Sequence, residues 1–343
     1  MTDTYKIAIV GAATIRGKEL NEVLAESLFA NADFSLLDDE SRRGQLEAIG
    51  DEVTFIQRVE PSSFDGVDFV FFAGSPEATS KYWQAAQRAG ASIIDLSDAL
   101  ENEPGVLVGA PWLEEVESLN LTTPAVIPAH PVSVALALLL ARLQELASVR
   151  SVSATVLEPA SEYGSPALDE LHHQTVGLLN FQTQPKVIYD TQVAFNIAPV
   201  TGAEAKVDLR ASEARIRRHY ALLAGTRLPM LPVQLLHAPV FHGHGISLAV
   251  DFEKSVALEH VEATLSGEHI DIVMGDSDSD VPNNLNTVGQ SDVMVRVRAA
   301  DGGTQETSRF WIWASIDNLK FSALNAVATA TELRKLRPQG KVQ

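Results

Sequence analysis

Short apolar runs alternate with helical stretches through the first half of this chain, and that alternation constrains the fold more than any other feature. Parallel neighbours in a sheet need a crossover of about a dozen residues or more, normally a helix, so strand–helix–strand repetition implies a parallel sheet. Residues 5–10 form an apolar run that feeds Gly11-Ala-Ala-Thr-Ile-Arg-Gly17 and a helical stretch over 18–30. Further strands are expected at 34–37, 67–73 and 91–95, with Pro76 opening the helix before the last of these and Gly90 closing it. Short strands near 106–108 and 125–127 then lead into an apolar helix over 132–147. Strand tips at Gly11, Asp38, Gly74 and Ser97 should line one sheet edge, where open α/β folds bind ligands.

The second half has a different rhythm. Strands are expected at 151–157, 191–197, 230–238, 246–252, 270–274, 293–298 and 308–316, interrupted by helices over 166–179, 205–223 and 255–265. This is an α+β pattern with a large mixed sheet. Residues 275–288, rich in Asp, Ser and Asn, read as a long surface loop, and a last helix over 322–335 follows the sheet. Taken as a whole the fold class is α/β, a Rossmann-like parallel-sheet part followed by an α+β part.

Composition excludes several function classes. The 343 residues contain no cysteine, so there is no disulfide, no Cys-ligated zinc and no thiolate nucleophile. A formal net charge of −19 argues against nucleic acid or an anionic membrane as partner. The most apolar stretch, 132–141, is too short for a membrane span and ends at Arg142. The N-terminus runs straight into a strand without a secretory pattern, so a cytoplasmic location is expected.

Glycines 11 and 17 between strand and helix would let backbone amides approach a pyrophosphate. The middle glycine of such a loop is missing, and Thr14 brings a β-branched side chain to the closest approach, where a positive φ would be resisted. Asp38 suits a ribose 2′-hydroxyl and so NAD, whereas Arg42 and Arg43 suit a 2′-phosphate. A structural turn with a solvated acidic strand end is an equally good reading of the same residues.

Four segments stand in a telling order: Leu171-His-His-Gln-Thr175, Val193-Ala-Phe-Asn-Ile-Ala-Pro199, Ala238-Pro-Val-Phe-His-Gly-His244 and Asp317-Asn-Leu-Lys-Phe-Ser-Ala-Leu-Asn-Ala326. With the Gly11 loop and Ile94-Asp-Leu-Ser97, they resemble the aspartate-semialdehyde dehydrogenase family over nearly the whole chain. The resemblance is greatest to the catalytically divergent paralogue that some bacteria carry beside the enzyme. It implies a Rossmann-like domain over 1–129 plus 322–343 and an α+β dimerisation domain over 130–321, hence a homodimer. The family reduces aspartyl phosphate with NADPH through a Cys thioester.

Carried over residue by residue, the family's site is largely lost. Pro131, in Pro128-Ala-His-Pro-Val-Ser133, takes the nucleophile's place, and His130 matches the Asn beside it. His244 matches the acid/base histidine, and Glu158 the glutamine that orients the acyl group. The arginine that grips the substrate carboxylate becomes His237, the arginine that grips phosphate becomes Glu101, and no intact Glu-x-x-Lys pair is found near 206–210. Ser133 has no adjacent base by spacing. With no nucleophile to serve, His244 reads better as a strand-end histidine kept for its hydrogen bond than as a working acid/base. Asn325 matches the residue that holds the nicotinamide amide, or else it contacts backbone; Phe321 and Ser322 narrow that space.

These substitutions imply a dehydrogenase-like protein without the family's reaction, a homodimer whose ligand the sequence leaves unnamed. NADP binding is expected to be weak or absent, with NAD the better of the two. An oxidoreductase acting on another oxo substrate with NAD(P) and His244 as acid/base is the alternative. No metal is assigned, although His130, His237 and His244 with Glu158 offer a further alternative as zinc-, nickel- or iron-type ligands.

Overall fold

A computed structural model of the chain describes residues 4–50, 52–113, 119–274, 281–301 and 306–337. It divides into two compact units, residues 1–129 with 322–343 and residues 130–321.

The first unit runs β1 (Lys6–Val10), α1 (Ile15–Ala25), β2 (Asp33–Asp38), β3 (Leu46–Ile49), β4 (Glu52–Phe55), β5 (Gln57–Arg58), β6 (Phe69–Phe72), α2 (Pro76–Arg88), β7 (Ser92–Asp95), β8 (Leu107–Gly109) and β9 (Val126–Pro128). Seven strands form one sheet in the order β5-β2-β1-β6-β7-β9-β8, and every pairing in it is parallel. Side chains alternate across it with period two. Ile7, Ile9, Phe69, Phe71 and Ile94 pack on Leu20 and Leu24 of α1 and on Ala323, Ala326 and Ala330 of the last helix. Ala8, Val10, Val70, Phe72 and Ile93 pack on Trp83 and Ala86 of α2. Both faces are therefore covered, which is why these strands read as unbroken apolar runs. The hairpin β3–β4 has no counterpart in the sequence reading; its charged positions, Glu47 and Glu52, hid the strand alternation.

The second unit runs α3 (Pro131–Leu146), β10 (Val149–Glu158), α4 (Ser165–Leu179), α5 (Leu209–Ala224), β11 (Val233–His237), β12 (His244–Val256), α6 (Leu258–Leu265), β13 (Ile270–Ile272), β14 (Val293–Ala299) and β15 (Thr307–Ile316). Its six-stranded mixed sheet has the order β11-β10-β12-β15-β14-β13. β10–β11 and β13–β14 are parallel; the others are antiparallel. Along β12, Ile246, Leu248, Val250 and Phe252 are buried, while Ser247, Ala249 and Asp251 are only half-buried. The inner face packs on α3, α5 and α6, and the outer face carries Trp311, Trp313, Arg296 and Arg298. The last helix, α7 (Asn318–Leu336), begins in this unit and belongs to the first from Ser322 onward.

Several expected boundaries move for identifiable reasons. Residues 191–197 form no strand, because their backbone groups bond to a side chain: Gln174 Oε1 accepts from Val193 and Ala194 N–H, and its Nε2 donates to Thr191 O. α5 starts at Leu209, where Asp208 caps it, and not at 205. β12 continues to Val256, so α6 starts at Leu258. α1 starts earlier than expected because Thr14 is its cap, and it stops at Ala25. Of the expected loop over 275–288, residues 275–280 lie outside the described residues, and 281–288 contain no strand or α-helix. Among the described residues, no helix is long and apolar enough to cross a membrane.

Candidate functional site

Three strand ends of the second unit bring ionisable side chains into one row. Glu158 ends β10 and pairs with His237 at the end of β11. On the other side Leu157 pairs with Gly245, so one further step of that register sets Glu158 beside His244, the first residue of β12. Residues paired across neighbouring strands share a face, so His237, Glu158 and His244 project together toward the helix-covered side. All three are 0% exposed.

The row is short of hydrogen-bond partners. Tyr163 donates its hydroxyl to Glu158 Oε2 at 2.6 Å and shares a 2.9 Å contact with Ser212 Oγ. Glu158 Oε1, both ring nitrogens of His237, both of His244 and the Tyr189 hydroxyl have no partner. The Tyr189 ring lies 4.7 Å from that of His237. Buried polar groups are nearly always paired, which sets this cluster apart from the rest of the interior.

Burial sets the charge state. It pushes Glu158 up to about 8, Glu162's carboxylate adds to the rise, and the Tyr163 hydrogen bond and Arg215 oppose it. Burial also pulls His237 and His244 down to about 4. At neutral pH, Glu158 is therefore mostly a carboxylic acid and both histidines are neutral.

Beside the row, α3 begins with His130 as its cap and Pro131 in its first turn. His130 Nδ1 accepts from Val132 N–H at 3.2 Å, and its own N–H donates to His219 Nδ1 at 2.9 Å. Its Nε2 lies 3.6 Å from Glu162 Oε1, and His244 Nε2 lies 4.0 Å from Glu162 Oε2. Asn318 Nδ2 donates to Glu162 Oε2, while its Oδ1 accepts from Ser161 Oγ and Gly243 N–H. Ser133 donates its hydroxyl to Ile216 O at 2.8 Å and is fully buried, so it is fixed by a structural bond.

In the first unit, Gly11 has φ +87, and a Cβ there would collide with Gly74. A Cβ on Gly17 would strike Gly11 O. Thr14 has φ −74, so the expected strain at this residue does not arise; its Oγ1 instead caps α1 by accepting from Gly17 N–H at 2.9 Å. Asp38 Oδ2 accepts from Ala13 N–H at 3.0 Å, inside the loop. Asn325 Nδ2 donates to Gly109 O and Ala129 O, while its buried Oδ1 has no partner. Asp95 locks the following turn by accepting from Ser97 and Leu100 N–H.

Two family models match the chain: "Semialdehyde dehydrogenase, NAD binding domain" over residues 6–127, and "Semialdehyde dehydrogenase, dimerisation domain" over residues 140–321. The chain is 32% identical to a USG-1 protein homolog of Azotobacter vinelandii, over 98% of this chain and 99% of that one. It is 27% identical to the aspartate-semialdehyde dehydrogenase of Rickettsia bellii, over the same shares. A solved structure, a probable aspartate-semialdehyde dehydrogenase from Pseudomonas aeruginosa, superposes with TM-score 0.83 at 29% identity, over 97% of this chain and 99% of that one. The chain belongs to the aspartate-semialdehyde dehydrogenase family.

Of the aspartate-semialdehyde dehydrogenase site residues assigned from sequence, His130, Glu158, His237 and His244 all lie in the second unit, with Pro131 at the head of α3. They split into two groups. His237 stands with Glu158 and Tyr189; His130 and His244 stand with Glu162. His237 is thus not in the histidine cluster expected from the sequence. His244 makes no hydrogen bond through its ring, contrary to the expectation that it is kept for one. Glu101 belongs to the first unit, on the turn after β7. Sequence reasoning missed Glu162, Tyr163, Tyr189, Ser212 and Arg215. Glu162 and Tyr163 follow β10 in a single 3₁₀ turn, Ala160–Tyr163, and proximity to Glu158 was the one signal available for them.

The raised carboxyl makes a signed prediction. The folded chain holds a proton on Glu158 that the unfolded chain, with an ordinary value of 4.5, releases, so this group's stabilisation is complete below 4.5 and is lost as pH rises through about 8. Glu158→Gln, uncharged throughout, should flatten the decline of Tm across that window and raise Tm above it relative to wild type. Thermal denaturation against pH checks this; parallel curves for the two proteins would refute it.

Proposed function

We propose that this chain is a divergent member of its family that has given up thioester chemistry and with it NADP-dependent semialdehyde dehydrogenase activity. The observation that carries the reading is Pro131 in the first turn of α3, where the resemblance places the nucleophile, in a chain with no cysteine. Proline has no nucleophilic atom and suits a first helical turn, so the helix keeps its start without the chemistry. Ser133 is no substitute, because its hydroxyl proton goes to Ile216 O. The surroundings agree: neutral His237 stands where the resemblance puts the arginine that grips the substrate carboxylate, and buried Glu158 where it puts the glutamine that orients the acyl group. A neutral imidazole in place of a guanidinium removes a charge-assisted bond worth about 1.5–3 kcal/mol. Glu101, on this reading, marks the second lost anion site.

Residues of the first unit fit a pyridine nucleotide. Gly11 and Gly74 approach too closely for a side chain at Gly11, which keeps the loop surface bare backbone, and Asn325 Oδ1 is a buried acceptor without a hydrogen-bond partner. Gly11, Thr14, Gly17, Asp38 and Gly74 would hold the dinucleotide end and Asn325 an amide; when bound, such a cofactor supplies or accepts a hydride. Binding is weak on this reading, since Asp38 already takes Ala13 N–H and Glu40 pairs with Arg43 and Arg58. The acidic strand end also favours NAD over NADP. The partnerless nitrogens of His244 support a second reading, an oxidoreductase that uses His244 as acid/base on another oxo substrate.

The protein should show no phosphate-dependent NADP reduction with aspartate semialdehyde, and Pro131→Cys alone should not restore it. In calorimetry NAD should bind more tightly than NADP, and neither tightly. Turnover by the wild type, or restoration by the single cysteine, would overturn the first reading. Tight NADP binding would move the second ahead of it.

We further assign a homodimer formed through the outer face of the second-unit sheet, in keeping with the dimerisation-domain match. Trp311 on that face is 41% exposed, and it lines a shallow hollow with Trp313, Arg296 and Arg298. Large aromatics and arginines are the residue types that anchor interfaces. Light scattering should give twice the chain mass, and Trp311→Asp should shift it toward the single chain. A wild-type protein of one chain mass at micromolar concentration would refute the assignment.

A further inference from the structure

We propose that His130, Glu162 and His244 form a binding site for a zinc-class divalent cation. One donor atom from each of the three residues lies within 4.8 Å of the other two. The separations of Glu162's oxygens from His130 Nε2 and His244 Nε2, 3.6 Å and 4.0 Å, are too long for hydrogen bonds. Donors on one tetrahedral ion at about 2.0–2.2 Å stand about 3.3–3.5 Å from one another, so side-chain movements of well under an ångström to about an ångström would close the set. Two imidazoles and one carboxylate are the donors of zinc, cobalt or nickel; magnesium and calcium take oxygen shells instead. Three protein ligands leave a fourth position for water or another oxygen ligand.

His244 is the independent sign. It is 0% exposed, and neither ring nitrogen has a partner, yet Nε2 is directed at the Glu162 carboxylate. Buried ring nitrogens without a hydrogen-bond partner are rare, and these stand beside a carboxylate and a second imidazole. The support behind the donors is also in place. Asn318 donates to Glu162 Oε2 and is itself held by Ser161 and Gly243, so the carboxylate is aimed by a second layer of hydrogen bonds, as metal-ligating carboxylates generally are. His130 makes the one adjustment. Its Nδ1 now accepts from Val132 N–H, so its neutral form carries the proton on Nε2. A metal on Nε2 moves that proton to Nδ1, and the 3.2 Å cap bond is given up, a small loss beside coordination. His237 takes no part, since its ring stands against Tyr189.

The test uses the full chain purified without a polyhistidine tag, stripped with chelator and titrated with cobalt(II), then zinc. One equivalent of cobalt should bind with the visible bands of tetrahedral nitrogen–oxygen coordination, and zinc should displace it. In the wild type, zinc should also shift the Val132 amide in NMR, a readout that needs no variant. Glu162→Gln, close to isosteric, and His244→Ala should each weaken cobalt binding by about tenfold or more, because even outer-layer partners of metal ligands cost that much. His172→Ala with His173→Ala, an exposed pair, should leave it unchanged. Absence of cobalt binding by the wild type would overturn the proposal. So would equal binding by Glu162→Gln, loss in the His172/His173 variant, or a Val132 amide that ignores zinc.

Discussion

Burial of three ionisable side chains in one row across β11, β10 and β12 is the constraint around which the second unit is arranged. An ion taken out of water without a partner costs several kcal/mol even after relaxation, so the row persists by being uncharged: Glu158 holds its proton and both histidines lack theirs. Tyr163, bridging Glu158 to Ser212 on α5, turns that neutral carboxyl into part of the sheet–helix contact. A site built in this way offers single hydrogen bonds and neutral nitrogen donors.

The start of α3 shows how the residues of a helix head serve the fold. A helix needs a residue at its head that can do without an intrahelical N–H partner, and proline meets that need. His130 supplies the cap, and Ser133 ties α3 to α5 through Ile216 O. Pro131, His130 and Ser133 thus each have a structural task at the helix head. The same helix head holds His130 close to Glu162 and His244.

The fold was legible where burial imposes a period. Strand–helix alternation through the first half announced the parallel sheet, and the clustered strands after residue 150 announced a large mixed one. Reading failed where a side chain replaces a strand as hydrogen-bond partner: Val193, Phe195 and Ile197 alternate like a strand, but Gln174 takes the backbone groups of that segment. It also failed at Thr14, whose suitability as a cap outweighs its β-branching once φ is negative. Candidate site residues were legible only as positions in a resemblance. Glu158 was placed that way, but its proton was not, because charge state depends on burial and on Glu162, Tyr163 and Arg215, of which Arg215 lies far along the chain.

Infrared difference spectroscopy across a pH titration, with Glu158→Gln as reference, observes that proton directly. A carboxylic acid C=O band present at neutral pH, absent from the variant and lost as pH passes about 8, is the predicted result. A carboxylate band for Glu158 at neutral pH would contradict the account, because burial and the Glu162 carboxylate would then not outweigh Tyr163 and Arg215.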